Sequence, residues 1–348
     1  MNKKYKALSL ISGGLDSMLA TKLMLDQGVQ VEGINFFTGF CGDNGYCLKR
    51  LEGGSQGAKW VCDQLGIKLH VIDVVNDFKT VLLNPKYGYG ANLNPCLDCK
   101  LFMITQAKNW IQQNGYDFLI TGEVLGQRPK SQRKDTLPLA SKLTGDLIVR
   151  PLSAKLLEPT LPEREGWINR ELLCDFSGRS RKAQIDLAQK FGFKDFPQPA
   201  GGCPLTDENF CKRLKDLWVN RSDRNYSLDD ILLLRVGRHL RIRPNLKVIV
   251  GRNEIENNFI AGFLGKNILL QVVDCPGALV LLDGKVDEID LSFVAGIAAY
   301  FSKARGAKAA KVLVRSPGLE DRVIEIRPAN HNPDALVAFE AAGLCFKV

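Results

Sequence analysis

Ser12-Gly13-Gly14-Leu15-Asp16-Ser17 is the first stretch of this chain whose residue types and spacing could do chemistry. It follows a short apolar run, Ala7 to Ile11, and precedes apolar residues at helical spacing. Glycines let a backbone turn tightly and aim N–H groups at a phosphate, and the N-terminus of the next helix adds positive potential. The hydroxyls of Ser12 and Ser17 can donate to phosphate oxygens. Asp16 would repel phosphate directly, so its carboxylate suits a Mg²⁺ ion or the ordering of the loop. No Gly-Lys-Ser/Thr ending follows, so γ-phosphate transfer is not the natural chemistry here. The bland alternative is a turn with a serine cap.

Cysteines supply the second set of candidates. Cys96 and Cys99 form a C-x-x-C in NPCLDCK ahead of a helical stretch, and Cys203 sits in PAGGCP. A helix N-terminus lowers a thiol pKa, so Cys99 is expected to be thiolate-prone. Zinc fits the C-x-x-C spacing equally well, although no fourth ligand is evident. The chain has 10 cysteines in 348 residues, too dispersed for a small disulfide scaffold. Some are therefore expected to serve redox, metal or sulfur chemistry. Cys41 and Cys47 flank a Gly-rich loop and read as structural or as a redox pair. Cys62, Cys174, Cys211, Cys275 and Cys345 are single thiols and read as core residues.

These groups need a scaffold, and the pattern around them alternates. Residues 6–11, 29–37, 68–74 and 118–121 read as strands; 18–27, 58–65 and 99–114 read as helices ending at glycine. Such alternation predicts an α/β domain with a doubly wound parallel sheet, whose strand-following loops meet at one edge. Residues 125–165 read as loop-dominated, and 179–192 as a helix leading to an extended Pro-Gly segment. The pattern changes near 213–228. We place domains at 1–215 and 216–348, the second a smaller α+β unit with a basic hairpin, strands at 268–273, 278–282, 310–315 and 323–326, and a helix at 291–304.

Net charge is +9; residues 1–215 hold 29 Lys+Arg against 22 Asp+Glu, and the remainder 18 against 16. A basic surface favours a polyanionic partner. No run of eighteen apolar residues occurs, and the apolar stretch after Lys6 is too short for a signal sequence. The expectation is a soluble cytoplasmic protein with no membrane partner.

SGGLDS resembles the motif of the PP-loop (N-type) ATP pyrophosphatases, with their adenine nucleotide alpha hydrolase-like fold. ITGEVLGQRPKSQ (Ile120 to Gln132) followed by LIVRPL (Leu147 to Leu152) looks like the tRNA 4-thiouridine synthetase branch, and the pairing of Cys99 with Cys203 resembles the tRNA 2-thiouridylases. The resemblance covers roughly residues 5–210. It implies ATP and Mg²⁺ held at Ser12, Gly13, Gly14, Asp16 and Ser17, with Gly122 allowing close approach to the nucleotide and Gln127 and Ser131 as neutral donors. It further implies a tRNA sulfurtransferase that adenylates a uridine carbonyl oxygen and replaces it with sulfur from a sulfide or persulfide carrier. Cys99, Cys203, Cys96 and Asp16 are the implied catalytic residues. In one version Cys99 and Cys203 work as a persulfide–disulfide pair. In the other, Cys96, Cys99 and Cys203 bind a [4Fe–4S] cluster with one open iron, and the additional Cys96 favours that version. The rivals are a PP-loop ligase or amidotransferase acting on a small carboxylate, and a non-catalytic RNA-binding sensor.

The sequence before Tyr5 contains none of the ferredoxin-like and THUMP domains of longer 4-thiouridine synthetases, and the tail does not look like their rhodanese carrier. RNA docking is expected to be arranged differently. Arg235, Arg238, Arg241, Arg243, Lys247 and Arg252 crowd into RVGRHLRIRPNLKVIVGR, which resembles the RNA-binding domain of the NFACT family. Alternation puts Arg241 and Arg243 on one face, available to phosphates, unless the strand is simply solvated. His239 reads as structural, and Asn330-His331-Asn332-Pro333 as a turn before a last helix.

Overall fold

The computed structural model describes residues 4–40, 57–196, 203–221 and 223–330. Cys41, Cys47, Cys345 and the turn beginning at His331 lie outside the described residues. The chain divides into two compact units, Met1–Cys211 and Lys212–Val348. The boundary placed at 215 falls inside a helix, Glu208–Val219.

In the first unit, apolar runs too short for helices became strands: β1 (Lys6–Leu10), β2 (Gln30–Phe37), β3 (Leu69–Asp73), β4 (Phe118–Thr121) and β5 (Ile148–Val149). They form one sheet in the order β3-β2-β1-β4-β5, and every neighbouring pair is parallel. Side-chain alternation sends Leu8, Ile34, Leu119 and Ile148 to one face, against Ile104, Ala107 and Ile111. Ala7, Val31, Phe118 and Val149 go to the other, against Leu15, Leu19, Leu23 and Ala188. Both faces are covered by helices, as an all-parallel sheet requires. Those helices are α1 (Leu15–Leu25), α2 (Ala58–Leu65), α3 (Val75–Leu83), α4 (Cys96–Asn114), α5 (Leu137–Thr144), α6 (Leu161–Arg164) and α7 (Lys182–Lys190). The doubly wound α/β expectation holds. Winding reverses at β1, which pairs with β2 on one side and β4 on the other. The crevice at the carboxyl ends of β1 and β4 is where such sheets bind ligands.

The region 125–165 is more regular than its composition suggested, since it contains α5, β5 and α6. Prolines there act as helix starters: α5 and α6 each carry one in their first turn, where the missing N–H costs nothing. Thr160 and Glu163 close a capping box around the start of α6.

The second unit contains α8 (Glu208–Val219) from Lys212 onward, then α9 (Leu228–Leu233), β6 (Arg238–Arg243), β7 (Leu246–Val250), α10 (Glu254–Ala261), β8 (Ile268–Val272), β9 (Val280–Gly284), α11 (Glu288–Tyr300), β10 (Ala310–Arg315) and β11 (Arg322–Ile326). Its sheet is antiparallel, in the order β11-β10-β8-β9-β7-β6. Leu291, Val294, Ala295 and Ala298 of α11 pack into one core with Val272, Val312 and Val314. The helix starts earlier than the expected residue 291 because Asp287 and Asp290 form a capping box.

A polar cluster ties β2 to its neighbours. The Glu32 carboxylate accepts the Tyr116 hydroxyl at 2.9 Å and meets His70 Nε2 at 2.6 Å and Lys6 Nζ at 3.2 Å. Burial raises its pKa, but His70, Tyr116 and Lys6 outweigh that and hold it at about 2. A carboxyl depressed on folding adds stability above its ordinary value of 4.5 and loses it as pH falls towards the folded value. Glu32→Gln is therefore expected to lower the urea midpoint near pH 6, with the gap to wild type closing as pH falls from 4.5 towards 2. A gap independent of pH would contradict this.

Candidate active site

The loop after β1 turns through Gly13, whose φ of +79° is a left-handed conformation that favours glycine. Gly14 is the N-cap of α1 and offers no side-chain cap, so the first N–H groups of that helix remain for a ligand. Ser17 donates to the Gly14 carbonyl at 2.8 Å, and the Ser12 hydroxyl lies 3.4 Å from both Ser17 Oγ and the Gly14 amide. These contacts shape a serine-lined turn of the kind that cradles phosphate.

Asp16 faces the loop that follows β4. Its Oδ2 accepts from Gln127 Nε2 at 2.8 Å, and Gln127 Oε1 accepts from Gln184 of α7 at 3.4 Å. Burial raises the Asp16 pKa, while the Gln127 bond and the charges of Arg181 and Arg128 pull it back. Asp16 Oδ1, Arg181 Nε and Gln184 Oε1 are buried with no hydrogen-bond partner. Orphaned polar atoms of both signs beside a phosphate-type turn mark a place where something polar is missing. One carboxylate oxygen fits Mg²⁺ in its usual nucleotide mode, in which phosphate oxygens and water supply the other ligands.

Gly122 also has a packing role. A Cβ there would lie 2.5 Å from Asp16 C and from Ser17 N. That is a close approach to the backbone at the start of α1. This contact seats the β4 loop on the phosphate loop. Leu125 is held in turn by the Ser153 hydroxyl at 2.9 Å and by the Gly178 amide at 2.7 Å.

Cys96 opens α4, and its thiol donates to Ser131 Oγ at 3.3 Å, tying the helix to the β4 loop. Cys99 is half-buried and the next residue, Lys100, places Nζ 3.6 Å from Glu123 Oε1. Glu123 is 2% exposed and also accepts from Arg150 Nε at 3.0 Å and Thr121 Oγ1 at 3.1 Å. Burial raises the Glu123 pKa, but Lys100 and Arg150 outweigh it and hold the carboxyl below its usual range. Lys100 is pushed down by burial and drawn back up by Glu123.

Cys203 is exposed. The turn it begins is bound to the lead-in of α4: Leu93 N donates to Leu205 O at 3.1 Å and Asn92 Nδ2 to Thr206 O at 2.8 Å. Cys203 and the C-x-x-C thus share a neighbourhood. Among the described residues no group of three or more His, Cys, Asp or Glu is placed to hold a metal ion. The thiols expected to be structural behave so: burial pushes Cys62 up to about 12 and Cys174 to about 11, and Cys211 donates to Leu205 O at 3.2 Å.

Residues 5–146 match the tRNA methyl transferase HUP domain model, and 237–333 the NFACT protein RNA binding domain model. The tRNA-specific 2-thiouridylase MnmA 1 of Syntrophus aciditrophicus (strain SB) is 26% identical over 216 residues, 58% of this chain and 57% of that protein. The tRNA-specific 2-thiouridylase MnmA of Treponema denticola is 33% identical over 133 residues, 34% of this chain and 32% of its own length. A 4-thiouridine synthetase solved with RNA and bound ATP aligns at 20% identity and TM-score 0.34, over 53% of this chain and 50% of that one. The first unit is PP-loop and thiouridylase-like. The chain spans 57% of the first of these relatives and 32% of the second.

In this thiouridylase-like unit the sequence reading missed Lys100, Glu123, Arg150, Arg181 and Gln184. Glu123 and Arg150 lay inside quoted motifs, TGEVLGQ and LIVRPL, and Lys100 follows Cys99 directly. Their pairing depends on β4 lying beside β5, which residue types do not reveal.

The basic hairpin of the second unit also departs from expectation. Arg241 is held bidentately by Asp216 at 3.0 and 2.7 Å, and the buried Lys247 meets Asp216 at 3.2 Å. Arg243 pairs with Asp290, and Arg252 with Glu256. Cations already spent on carboxylates are not a ready phosphate face. A β-bulge between Arg241 and Arg243 further breaks the one-face alternation. His239 is structural as expected, its Nε2 2.9 Å from the Val236 carbonyl, with burial holding its pKa well down.

Removing the buried carboxylate tests the ion network. Glu123→Ala leaves Lys100 and Arg150 without their partner and is expected to cost about 3–5 kcal/mol of unfolding free energy. Denaturant unfolding of the full chain measures this; a loss below about 1 kcal/mol would mean that the network is solvated rather than closed.

Proposed function

We propose that the chain is an ATP-dependent tRNA sulfurtransferase that makes thiouridine. The observation that carries this reading is the convergence at one sheet edge of a phosphate-type turn after β1, an orphaned Asp16 oxygen, and a C-x-x-C linked through its lead-in to the turn at Cys203. The thiouridylase relatives support it, and the RNA-binding family match of the second unit supports tRNA as substrate.

In this mechanism the turn at Ser12 to Ser17 holds the ATP phosphates through backbone N–H groups and two hydroxyls. Asp16 Oδ1 would hold Mg²⁺, which supplies charge neutralisation across the phosphates. Arg181 and Arg128 lie beside the same carboxylate and can meet the charge that develops on the leaving pyrophosphate. A uridine carbonyl oxygen attacks the α-phosphorus and pyrophosphate leaves. The poor leaving oxygen has now become part of AMP. Cys203, being exposed, accepts a sulfane sulfur from an external persulfide donor. Its terminal sulfur attacks the activated carbon and AMP departs. Cys99 then attacks the Cys203 sulfur, forming a Cys99–Cys203 disulfide and leaving sulfur on the base; an external thiol reductant restores both thiols. Lys100, the next residue in the chain, interacts electrostatically with Cys99. Cys96 holds the β4 loop through Ser131 and takes no part in sulfur transfer.

Two measurements test the proposal. Pyrophosphate release by the full chain is expected to require tRNA, and Asp16→Asn is expected to lower it by about 10²-fold or more, as loss of a charge-positioning group does. Release with a small carboxylic acid and no RNA would replace the reading with the ligase one. Protein purified without oxygen is expected to be free of iron and acid-labile sulfide. Cys99→Ser and Cys203→Ser should each release pyrophosphate yet form no thiouridine, whereas Cys96→Ala keeps partial activity. Stoichiometric iron lost in Cys96→Ala would replace the persulfide route with a cluster.

A further inference from the structure

The ion pairs of the β6–β7 hairpin leave open where the second unit would meet a polyanion. Residues 291–319 contain five Lys or Arg and no Asp or Glu, in a unit whose charges otherwise nearly balance. The segment begins within α11 and turns back into β10. At the end of α11, Tyr300 and Phe301 pack edge to face with ring centroids 5.1 Å apart. Arg238, at the start of the edge strand β6, lies over the Phe301 ring at 5.0 Å, and Arg305 lies over the Tyr300 ring at 4.0 Å. Lys303 and Lys308 flank Arg305, and all four cations are exposed. Lys303 is fixed by its own amide, which donates to Pro276 O at 3.1 Å.

These cations differ in kind from those of the hairpin. Arg238, Lys303, Arg305 and Lys308 have no carboxylate in salt-bridge reach among the described residues, whereas Arg241, Arg243 and Arg252 each have one. A guanidinium lying on a ring face has a fixed plane while its N–H groups still point outward, which suits bidentate contact with phosphate. The carboxyl end of a helix adds negative potential that draws cations to this corner.

We infer that the corner formed by Arg238, Lys303, Arg305 and Lys308 around the Tyr300–Phe301 pair is the face of the second unit that docks the tRNA sugar-phosphate backbone. This rests on the proposal that tRNA is the substrate. Phosphate contacts of this kind position an RNA without reading its sequence. The face would therefore hold the body of the tRNA and add affinity rather than choose the uridine.

The test is binding of unmodified tRNA to the full-length protein, measured as Kd against salt. The triple variant Arg238→Gln/Lys303→Gln/Arg305→Gln is compared with a control that removes three cations elsewhere in the same unit, Lys266→Gln/Lys285→Gln/Arg322→Gln. The first is expected to bind at least about tenfold more weakly at low salt and to flatten the log Kd against log salt slope by about 2 to 3, one phosphate per lost cation. The control is expected to stay within about twofold, the general effect of charge removal being shared by both. Arg238→Lys/Arg305→Lys keeps the charge but loses the ring-held plane, and is expected to bind with intermediate affinity, which also shows that the variants fold. Equal effects of the two triple variants, or anionic phospholipid vesicles bound while tRNA is not, would overturn the inference. If wild type binds tRNA and releases pyrophosphate but the first variant binds as wild type does, this face is wrong and the proposed function stands. If wild type binds no tRNA, the substrate reading falls, and this inference with it.

Discussion

Gly122 and the Asp16–Ser17 peptide of α1 are so close that no side chain fits between them, a Cβ at 122 falling 2.5 Å from two backbone atoms. Most of the proposed site depends on that contact. It holds the loop after β4 against the turn after β1, across the point where the sheet reverses its winding. Because the loop sits there, Gln127 reaches Asp16, Gln184 reaches Gln127, and Ser131 receives the Cys96 thiol. Gly122 thus joins the two halves of the site.

The same loop carries Glu123 into the core, where two cations neutralise it. A carboxylate so deeply buried would be costly alone, so Lys100 and Arg150 are required partners rather than ornaments. The consequence reaches the chemistry because Lys100 adjoins Cys99. Charge that stabilises the fold of the β4 loop also sets the field around the thiol proposed to resolve the persulfide. Stability and reactivity share one set of side chains here.

Legibility in the sequence followed interaction range. The first four strands, the helices α1, α2, α4 and α7, the parallel sheet and the phosphate turn could be read because each rests on local periodicity or on a short motif. The helices α5 and α6 were missed because a Pro-, Lys- and Ser-rich composition reads as loop, whereas two of the prolines there start helices. Lys100, Glu123 and Arg150 were missed because their meaning lies in pairing across the sheet. The hairpin arginines show the opposite error: a run of cations looks like a nucleic-acid surface until the acids that neutralise it, Asp216, Asp290 and Glu256, are placed by folding. The cysteines fall between these cases: the C-x-x-C was legible as a motif, whereas the backbone bonds that tie the turn at Cys203 to its lead-in depend on folding.

The central claim is that a uridine carbonyl oxygen attacks ATP at the phosphate turn, and oxygen tracing tests it most directly. Full-length protein would be given ATP, a persulfide donor, a thiol reductant and tRNA carrying ¹⁸O at the uridine carbonyls, and the AMP analysed by mass spectrometry. The account predicts one ¹⁸O atom in AMP for every thiouridine formed, with unlabelled pyrophosphate. Thiouridine accompanied by unlabelled AMP, or by ADP and phosphate, would contradict it, because the carbonyl oxygen would then have left without ever being bonded to the α-phosphorus.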